Sequence, residues 1–140
     1  MCEDGPIAAA QLAAVEAAGA LLADRMRRYP ASYWRRAADP QHSVADVTQH
    51  LVQRLAELEH AVEVGSAPAP ERWRHPAPPS YPGALPDHLA VVTADFAAAA
   101  RAAPADWQVW YDGELVALLR VITAAGEEIG RTKQVLSDIR

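Results

Sequence analysis

Cysteine and lysine are almost absent from this sequence, and its positive charges are scattered. Cys2 is the single cysteine among 140 residues, so no disulfide can form within one chain. Lys133 is the single lysine beside twelve arginines, and the net charge is −5. Without a basic face, nothing indicates a nucleic-acid partner or an anionic membrane. The bias towards arginine and alanine is typical of a high-GC bacterial genome.

Long apolar runs and several enzyme motifs are missing as well. No continuous run approaches the roughly 18 apolar residues of a membrane span, and the start lacks the charged-then-apolar form of a signal peptide. We therefore expect a cytoplasmic protein. The sequence has no glycine-rich phosphate loop, no zinc-type cysteine pair and no glycine-flanked nucleophilic serine.

Alanine is abundant while strand-favouring β-branched residues are sparse, and this balance favours an all-α fold. Apolar residues recur at helical spacing along four stretches, which predicts helices over residues 7–28, 43–64, 86–103 and 114–140. Ser43, followed by Asp46, is a good N-cap, and Gly65 is a stop signal for the second helix. Asp112-Gly113 is interpreted as the turn before the fourth helix. Residues 1–140 form one predicted domain.

The link between the second and third predicted helices is long and rich in proline. Neighbouring bundle helices normally need about 2–8 linking residues, whereas residues 65–85 include six prolines. A proline-rich chain spans roughly 3 Å per residue, enough to travel the length of the helices. We therefore predict a four-helix bundle with up-down-down-up connectivity and a crossover after the second helix. The alternative is a slack loop in an up-down-up-down bundle.

Two adjacent glutamates in the last predicted helix differ in their position around the helix. At about 100° per residue, Glu127 falls on the solvent side, whereas Glu128 lies at the edge of the apolar stripe between Val121 and Val135. Thr132 follows one turn later and lies closer to the centre of the stripe. A half-buried carboxylate must be paired, bind a cation or take up a proton. We therefore expect Glu128 to be largely buried and Glu127 exposed.

The second predicted helix offers partners for Glu128. His50 lies off the apolar seam of that helix, on a flank shared with Arg54. In the crossover topology the start of this helix and the end of the fourth share one end of the bundle, so His50 is the first predicted partner and Arg54 the second. His42 precedes the N-cap and lies near the same end.

Two short segments resemble a known family. "SVADVTQHL" (residues 43–51) is similar to the second-helix signature of DinB-like bundle proteins, whose histidine is a metal ligand. "EEIGRT" (residues 127–132) is similar to a fourth-helix stretch in which a glutamate and a later histidine complete a three-ligand site. This superfamily includes mycothiol-dependent maleylpyruvate isomerase and related bacterial thiol transferases. The four-helix plan and the long link extend the resemblance over essentially the whole chain.

The resemblance implies that His50 and Glu128 are ligands of zinc, nickel or a similar divalent ion. Thr132 stands where the second histidine is expected, and a neutral hydroxyl is a poor ligand for such a metal. We expect weak or absent occupancy, which Thr132→His would restore. His88, near the start of the third predicted helix, is either a replacement ligand or a solvent-exposed first-turn histidine. The activity implied is transfer or isomerisation of a small electrophile that uses a low-molecular-weight thiol.

Two other functions fit the same residues. Glu128 and His50 can form a metal-free catalytic or binding site, with Tyr33 and Trp34 as aromatic walls and Thr132 and Arg54 as binding groups. Alternatively, the chain is a non-enzymatic helical scaffold in which Glu128 and His50 serve packing alone. The residues leave the substrate and the oligomeric state open.

Overall fold

The structure is a computed structural model that describes residues 4–67 and 73–139. Within these ranges the chain is mostly helical, as predicted, with one short β-hairpin. The elements in chain order are α1 Asp4–Met26, α2 Ala31–Trp34, α3 Val44–Val64, a 3₁₀ turn Pro82–Ala84, α4 Leu85–Ala102, β1 Gln108–Tyr111, β2 Glu114–Ala117 and α5 Leu118–Ser137.

The start of α3 confirms the predicted N-cap. The backbone N–H of Asp46 donates to Ser43 Oγ at 3.1 Å, and the backbone N–H of Ser43 donates to Asp46 Oδ2 at 2.9 Å. This reciprocal pair satisfies two amides that the first helical turn leaves free. The helix ends at Gly65, whose φ of 66° lies in the left-handed region that favours glycine, as the stop signal predicted.

The four long helices pack pairwise around one apolar core. α1 and α3 each pack against both α4 and α5. Between α1 and α5, the Thr123 hydroxyl lies 2.9 Å from Gln11 Oε1, and Arg25 donates to Ser137 Oγ at 3.5 Å. The largest fully buried side chains come from all four helices: Met26, Leu51, Leu55, Leu58, Leu89, Phe96, Ile122, Ile129 and Leu136.

The segment before the last helix is a β-hairpin, so the all-α prediction is too strict and the fourth helix begins later than predicted. β1 and β2 pair antiparallel, with Tyr111 opposite Glu114. Asp112 and Gly113 form the two-residue loop, with φ values of 51° and 83°. Two positive φ values are typical of the two-residue loop whose backbone twist matches that of paired strands. Asp-Gly is a strong sequence signal for this loop. The hairpin delays the start of α5 to Leu118.

The hairpin is anchored to the end of α3. The backbone N–H of Trp110 donates to the carbonyl of Gly65 at 3.2 Å, and the indole N–H of Trp107 donates to the carbonyl of Val62 at 2.7 Å. The short link predicted between the third and fourth helices is therefore an ordered element that closes one end of the core.

The proline-rich segment, residues 73–79, lies along α3. Its contacts with α3 move towards the start of that helix as the segment proceeds: the Trp73 ring stacks on His60, His75 Nε2 meets Glu57, and the Gln49 amide donates to the carbonyl of Pro76 at 3.2 Å. Residues 68–72 of the predicted crossover lie outside the described residues.

The first helix has a high mean hydropathy along most of its length. Residues Gly5–Met26 have a mean hydropathy of 1.5, long and apolar enough to cross a membrane by length and composition, and 28% of that window is buried. Polar residues such as Gln11 and Glu16 interrupt this stretch, so it is not a continuous apolar run. Core helices of soluble proteins and signal sequences pass the same criterion, so the finding assigns no location.

Two helical glycines give a matched test of the contact between α1 and α4. A Cβ on Gly19 would lie 2.5 Å from Thr93 Cγ2, whereas a Cβ on Gly130 meets nothing within 4 Å. Both replacements by alanine gain helix propensity, but overpacking typically costs about 1–3 kcal/mol. We expect Gly130→Ala to raise the free energy of unfolding. The free energy of unfolding of Gly19→Ala should lie about 1–3 kcal/mol below that of Gly130→Ala. Urea denaturation of both variants measures the difference, and equal stabilities would contradict the close contact.

Candidate functional site

A cleft of about 660 Å³ opens between the first half of α3 and the second half of α5. It brings together four residues that the sequence singled out, namely His42, His50, Glu128 and Thr132. The lining is mostly polar and charged: Asp39, His42, Asp46, Val47, Gln49, His50, Gln53, Glu128, Arg131, Thr132 and Val135. Its volume lies within the range of about 300–1,000 Å³ that is usual for small-molecule sites.

Glu128 points inward, as the helical wheel predicted, but it meets arginine instead of histidine. Its side chain is 17% exposed, whereas Glu127 is exposed. Glu128 Oε1 lies 2.7 Å from an Arg131 nitrogen and 3.6 Å from Arg54 Nε. In the described residues no hydrogen bond or ion pair joins Glu128 to His50, which is exposed. Arg54, the second predicted partner, is therefore the residue that meets this carboxylate from α3.

Arg54 connects the cleft to two other parts of the fold. It donates to Glu57 Oε2 at 2.9 Å and to the Tyr111 hydroxyl at 3.3 Å, and its guanidinium lies over the Tyr111 ring. Burial alone would lower the pKa of Arg54, but Glu57, Tyr111 and Glu128 together raise it. Burial likewise would raise the pKa of Glu57, yet hydrogen bonds from His75 and Arg54 lower it. These groups therefore stay charged.

The residues of the cleft do not fit a zinc or nickel ion. Two arginines surround the carboxylate of Glu128, and their positive charge disfavours a cation there. The third predicted position is Thr132, whose hydroxyl is a poor ligand for either metal. Within residues 4–67 and 73–139, no group of three or more His, Cys, Asp and Glu side chains is arranged to hold a metal ion.

Thr132 differs from the other helical threonines. It is 8% exposed and lines the cleft, yet its hydroxyl has no hydrogen-bond partner among the described residues. In contrast, Thr48, Thr93 and Thr123 each donate to the carbonyl four residues earlier, at 2.8, 2.7 and 2.9 Å. The Thr132 hydroxyl is therefore available to form a hydrogen bond with a ligand in the cleft.

Gln49 provides a second unsatisfied group in the same cleft. Its amide nitrogen faces the carbonyl of Pro76, which can only accept, and this fixes which end of the amide is the oxygen. The Oε1 atom is buried and has no partner among the described residues. Thr132 and Gln49 both line this cavity, and each has a polar atom that makes no hydrogen bond within the described residues.

His42, near the mouth, is held by a carboxylate. Its Nδ1 lies 2.9 and 3.0 Å from the two oxygens of Asp39, which also accepts the backbone N–H of Gln41 at 2.7 Å. The hydrogen bonds from Gln41 and His42 lower the pKa of Asp39. In the sequence only the position of His42 before the N-cap pointed to it, because pairing with Asp39 depends on the loop conformation.

Three predicted binding residues lie away from the cleft. Tyr33 lines a separate depression with Pro30 and Ser32, and Trp34 is buried in the core. Both belong to α2, a short helix that the sequence did not predict and that directs these rings elsewhere. His88, half-buried on α4, is not among the residues that line the cleft.

A second groove, of about 500 Å³, lies between the last turns of α3 and α4. It contains three carboxylates, from Glu59, Glu63 and Asp95, above a floor of alanines. Burial, together with the neighbouring Glu63 and Asp95, raises the pKa of Glu59 to about 7. Glu59 is therefore partly protonated near neutral pH.

Comparison of the chain with protein-family models, with curated proteins and with solved structures finds no match. The resemblance to DinB-like proteins rests on the two quoted segments and stays a prediction.

The raised pKa of Glu59 predicts a pH-dependent loss of stability. The folded state holds a proton on Glu59 up to about pH 7, whereas the unfolded chain releases it near 4.5, so stability falls as pH rises between these values. Glu59→Gln removes this loss of stability. Allowing for solvent screening, we expect the free energy of unfolding of the variant to exceed that of the natural protein by about 0.5–1 kcal/mol at pH 8, with no gain at pH 4. Denaturation at both pH values, with the exposed Glu127→Gln as the control, measures it. A gain independent of pH would contradict the assignment.

The arginines around Glu128 predict how the cleft responds to zinc. We expect no tight binding by the natural protein and weak binding by Thr132→His, because Arg131 occupies the carboxylate. Removing Arg131 as well, in a Thr132→His/Arg131→Ala double variant, should raise the zinc affinity about tenfold or more by freeing Glu128. Calorimetric titration of untagged protein with zinc and nickel tests the series. Stoichiometric tight binding by the natural protein would overturn the metal-free interpretation.

Proposed function

We propose that this protein is a divergent DinB-like helical bundle whose cleft between α3 and α5 binds a small polar molecule without a metal ion. The observation that carries the proposal is the pair of unsatisfied groups in the cleft. Gln49 Oε1 is buried without a partner in the described residues, and Thr132, which lines the same cleft, makes no hydrogen bond to them through its hydroxyl. Native proteins rarely leave a buried group such as Gln49 Oε1 unpaired, and a ligand that pairs both groups gains free energy on binding.

The directions of the helices support the up-down-down-up bundle in this proposal. The paired residues Gln11–Thr123 and Arg25–Ser137 advance together along α1 and α5, so these helices run the same way. The last turns of α3 and α4 share the acidic groove, which favours parallel α3 and α4. α1 contacts α4 in the opposite sense, because Arg27 near its end meets Asp87 near the start of α4.

The free groups define the chemistry of the ligand. Gln49 Oε1 requires a donor, while the Thr132 hydroxyl can donate or accept. A primary amide carries both functions within one planar group. The arginines already neutralise Glu128, so a neutral ligand avoids the cost of displacing an ion pair. We therefore expect an amide to bind better than a carboxylate of the same shape.

The thiol-dependent transferase implied by the resemblance has weaker support, because the cleft does not fit the metal that would activate a thiol. Some thiol ligands contain amide groups, and the tripeptide glutathione is one of them. Reduced glutathione is therefore included among the probes. The scaffold alternative, in which the Glu128 ion pairs serve packing alone, predicts that none of these molecules binds.

An NMR titration tests the proposal with benzamide, benzoate and reduced glutathione as probes. We expect benzamide to shift the amide signals of Gln49, His50 and Thr132 in a saturable way, more strongly than benzoate. Thr132→Val keeps the shape but removes the hydroxyl, and a lost hydrogen bond of about 1 kcal/mol should weaken benzamide binding about fivefold.

Thr123→Val is the matched control, because its hydroxyl on the same helix is already bonded to the Leu119 carbonyl. Its affinity for benzamide should equal that of the natural protein. Binding that is unaffected by Thr132→Val, or shifts confined to another surface, would refute the cleft as the site. A response to glutathione alone would favour the thiol-dependent activity over the amide site.

A further inference from the structure

The geometry points to a general base in the cleft, formed by His42 and positioned by Asp39, that activates water for attack on an acyl ester. This inference rests on the proposed function, because it uses the same cleft to hold the substrate. It differs from the site predicted from the sequence, which centred on His50 and Glu128.

The Asp39 carboxylate determines which nitrogen of His42 can accept a proton. A carboxylate can only accept, so the contacts of 2.9 and 3.0 Å place the hydrogen of the neutral ring on Nδ1. Nε2 then carries the free lone pair. Orientation of an imidazole by a carboxylate on Nδ1 is the arrangement by which catalytic triads prepare their base.

The loop before α3 holds this pair in place. The backbone N–H groups of Ala38 and Asp39 donate to the His42 carbonyl at 2.9 and 3.2 Å, and the backbone N–H of Val44 donates to the Arg36 carbonyl at 2.8 Å. The Ser43 cap then fixes the following helix. His42 therefore projects from a tied loop at the edge of the cleft.

Most charged neighbours of His42 in the cleft already have a hydrogen-bond or ion-pair partner. Asp46 of α3 accepts the backbone N–H of Ser43, while Glu128 of α5 is paired with Arg131. His50 of α3 is the other titratable group that lines the cavity. The His42 side chain is 54% exposed and Asp39 is 43% exposed, so water reaches the ring directly. These conditions suit a base that acts on water.

The reaction that follows is ester hydrolysis. Water gives a proton to His42 Nε2 as its oxygen bonds to the carbonyl carbon. The Thr132 hydroxyl and the remaining N–H groups of Arg131 line the same cavity and can donate to the developing oxyanion. The ester C–O bond then breaks, and the proton on His42 passes to the departing alcohol, or to solvent when a phenolate leaves. The products are an acid and an alcohol, and no other reactant is required.

The test uses hydrolysis of p-nitrophenyl acetate by the full-length protein. We expect a rate above that of buffer, which His42→Gln lowers about tenfold or more because the base is lost. His75→Gln is the matched control, since His75 also meets a carboxylate, Glu57, but lies outside the cleft. Its rate should match that of the natural protein. Equal rates for the natural protein and His42→Gln, or no rate above buffer, would overturn the inference.

Asp39→Asn tests the positioning role with a readout other than rate. Long-range ¹H–¹⁵N NMR of the imidazole should find the proton of neutral His42 on Nδ1 in the natural protein and mainly on Nε2 in the variant. The hydrolysis rate should fall with this change of tautomer. A proton on Nε2 in the natural protein would refute the role of Asp39. If benzamide still binds to His42→Gln and Thr132→Val still weakens it, failure of this inference leaves the binding site standing.

Discussion

The half-buried guanidinium of Arg54 is the interaction on which the arrangement around the cleft depends. One side chain on α3 meets Glu128 of α5, Tyr111 of the hairpin and Glu57, which in turn meets His75 of the proline-rich segment. Arginine suits this position because its planar group carries five donors and stays charged when partly buried. Its burial is offset by two carboxylates and an aromatic ring. Removing it would take one partner from each carboxylate, leaving Glu57 with His75 and Glu128 with Arg131.

This network changes the chemistry that the cleft offers. A carboxylate and a histidine one helix apart suggest metal binding or acid–base catalysis when they are seen as isolated residues. With Arg54 and Arg131 beside it, the carboxylate of Glu128 becomes a structural anion, and the free groups of the cleft are the neutral Thr132 and Gln49. Among the residues that line the cleft, the carboxylate that contacts a histidine is Asp39, on the loop before α3. This arrangement supports the proposal that the cleft binds a neutral polar ligand and not a metal ion.

Local patterns predicted the helical segments well because helix signals depend on neighbours in the chain. The cap at Ser43, the stop at Gly65 and the inward direction of Glu128 follow from spacings of a few residues, and the structure contains all three. The hairpin also had a local signal, Asp112-Gly113 between two short apolar runs, but helical periodicity from Leu115 onward predicted a helix there instead. There the turn chemistry outweighed the periodic pattern.

By itself, the sequence determined the helices, the half-buried position of Glu128 and the presence of His50 and Thr132 along one cleft. The tertiary structure alone decided which partner each polar group meets. Arg54 and His50 share a flank of α3, and only the packing angle of α5 and the position of the hairpin bring the first to Glu128 while the second stays exposed. Likewise, Thr132 lacks a partner because of what surrounds it in space. Pairing of polar side chains depends on distances of a few ångströms between distant segments, and these distances are not encoded in the periodicity of any one helix.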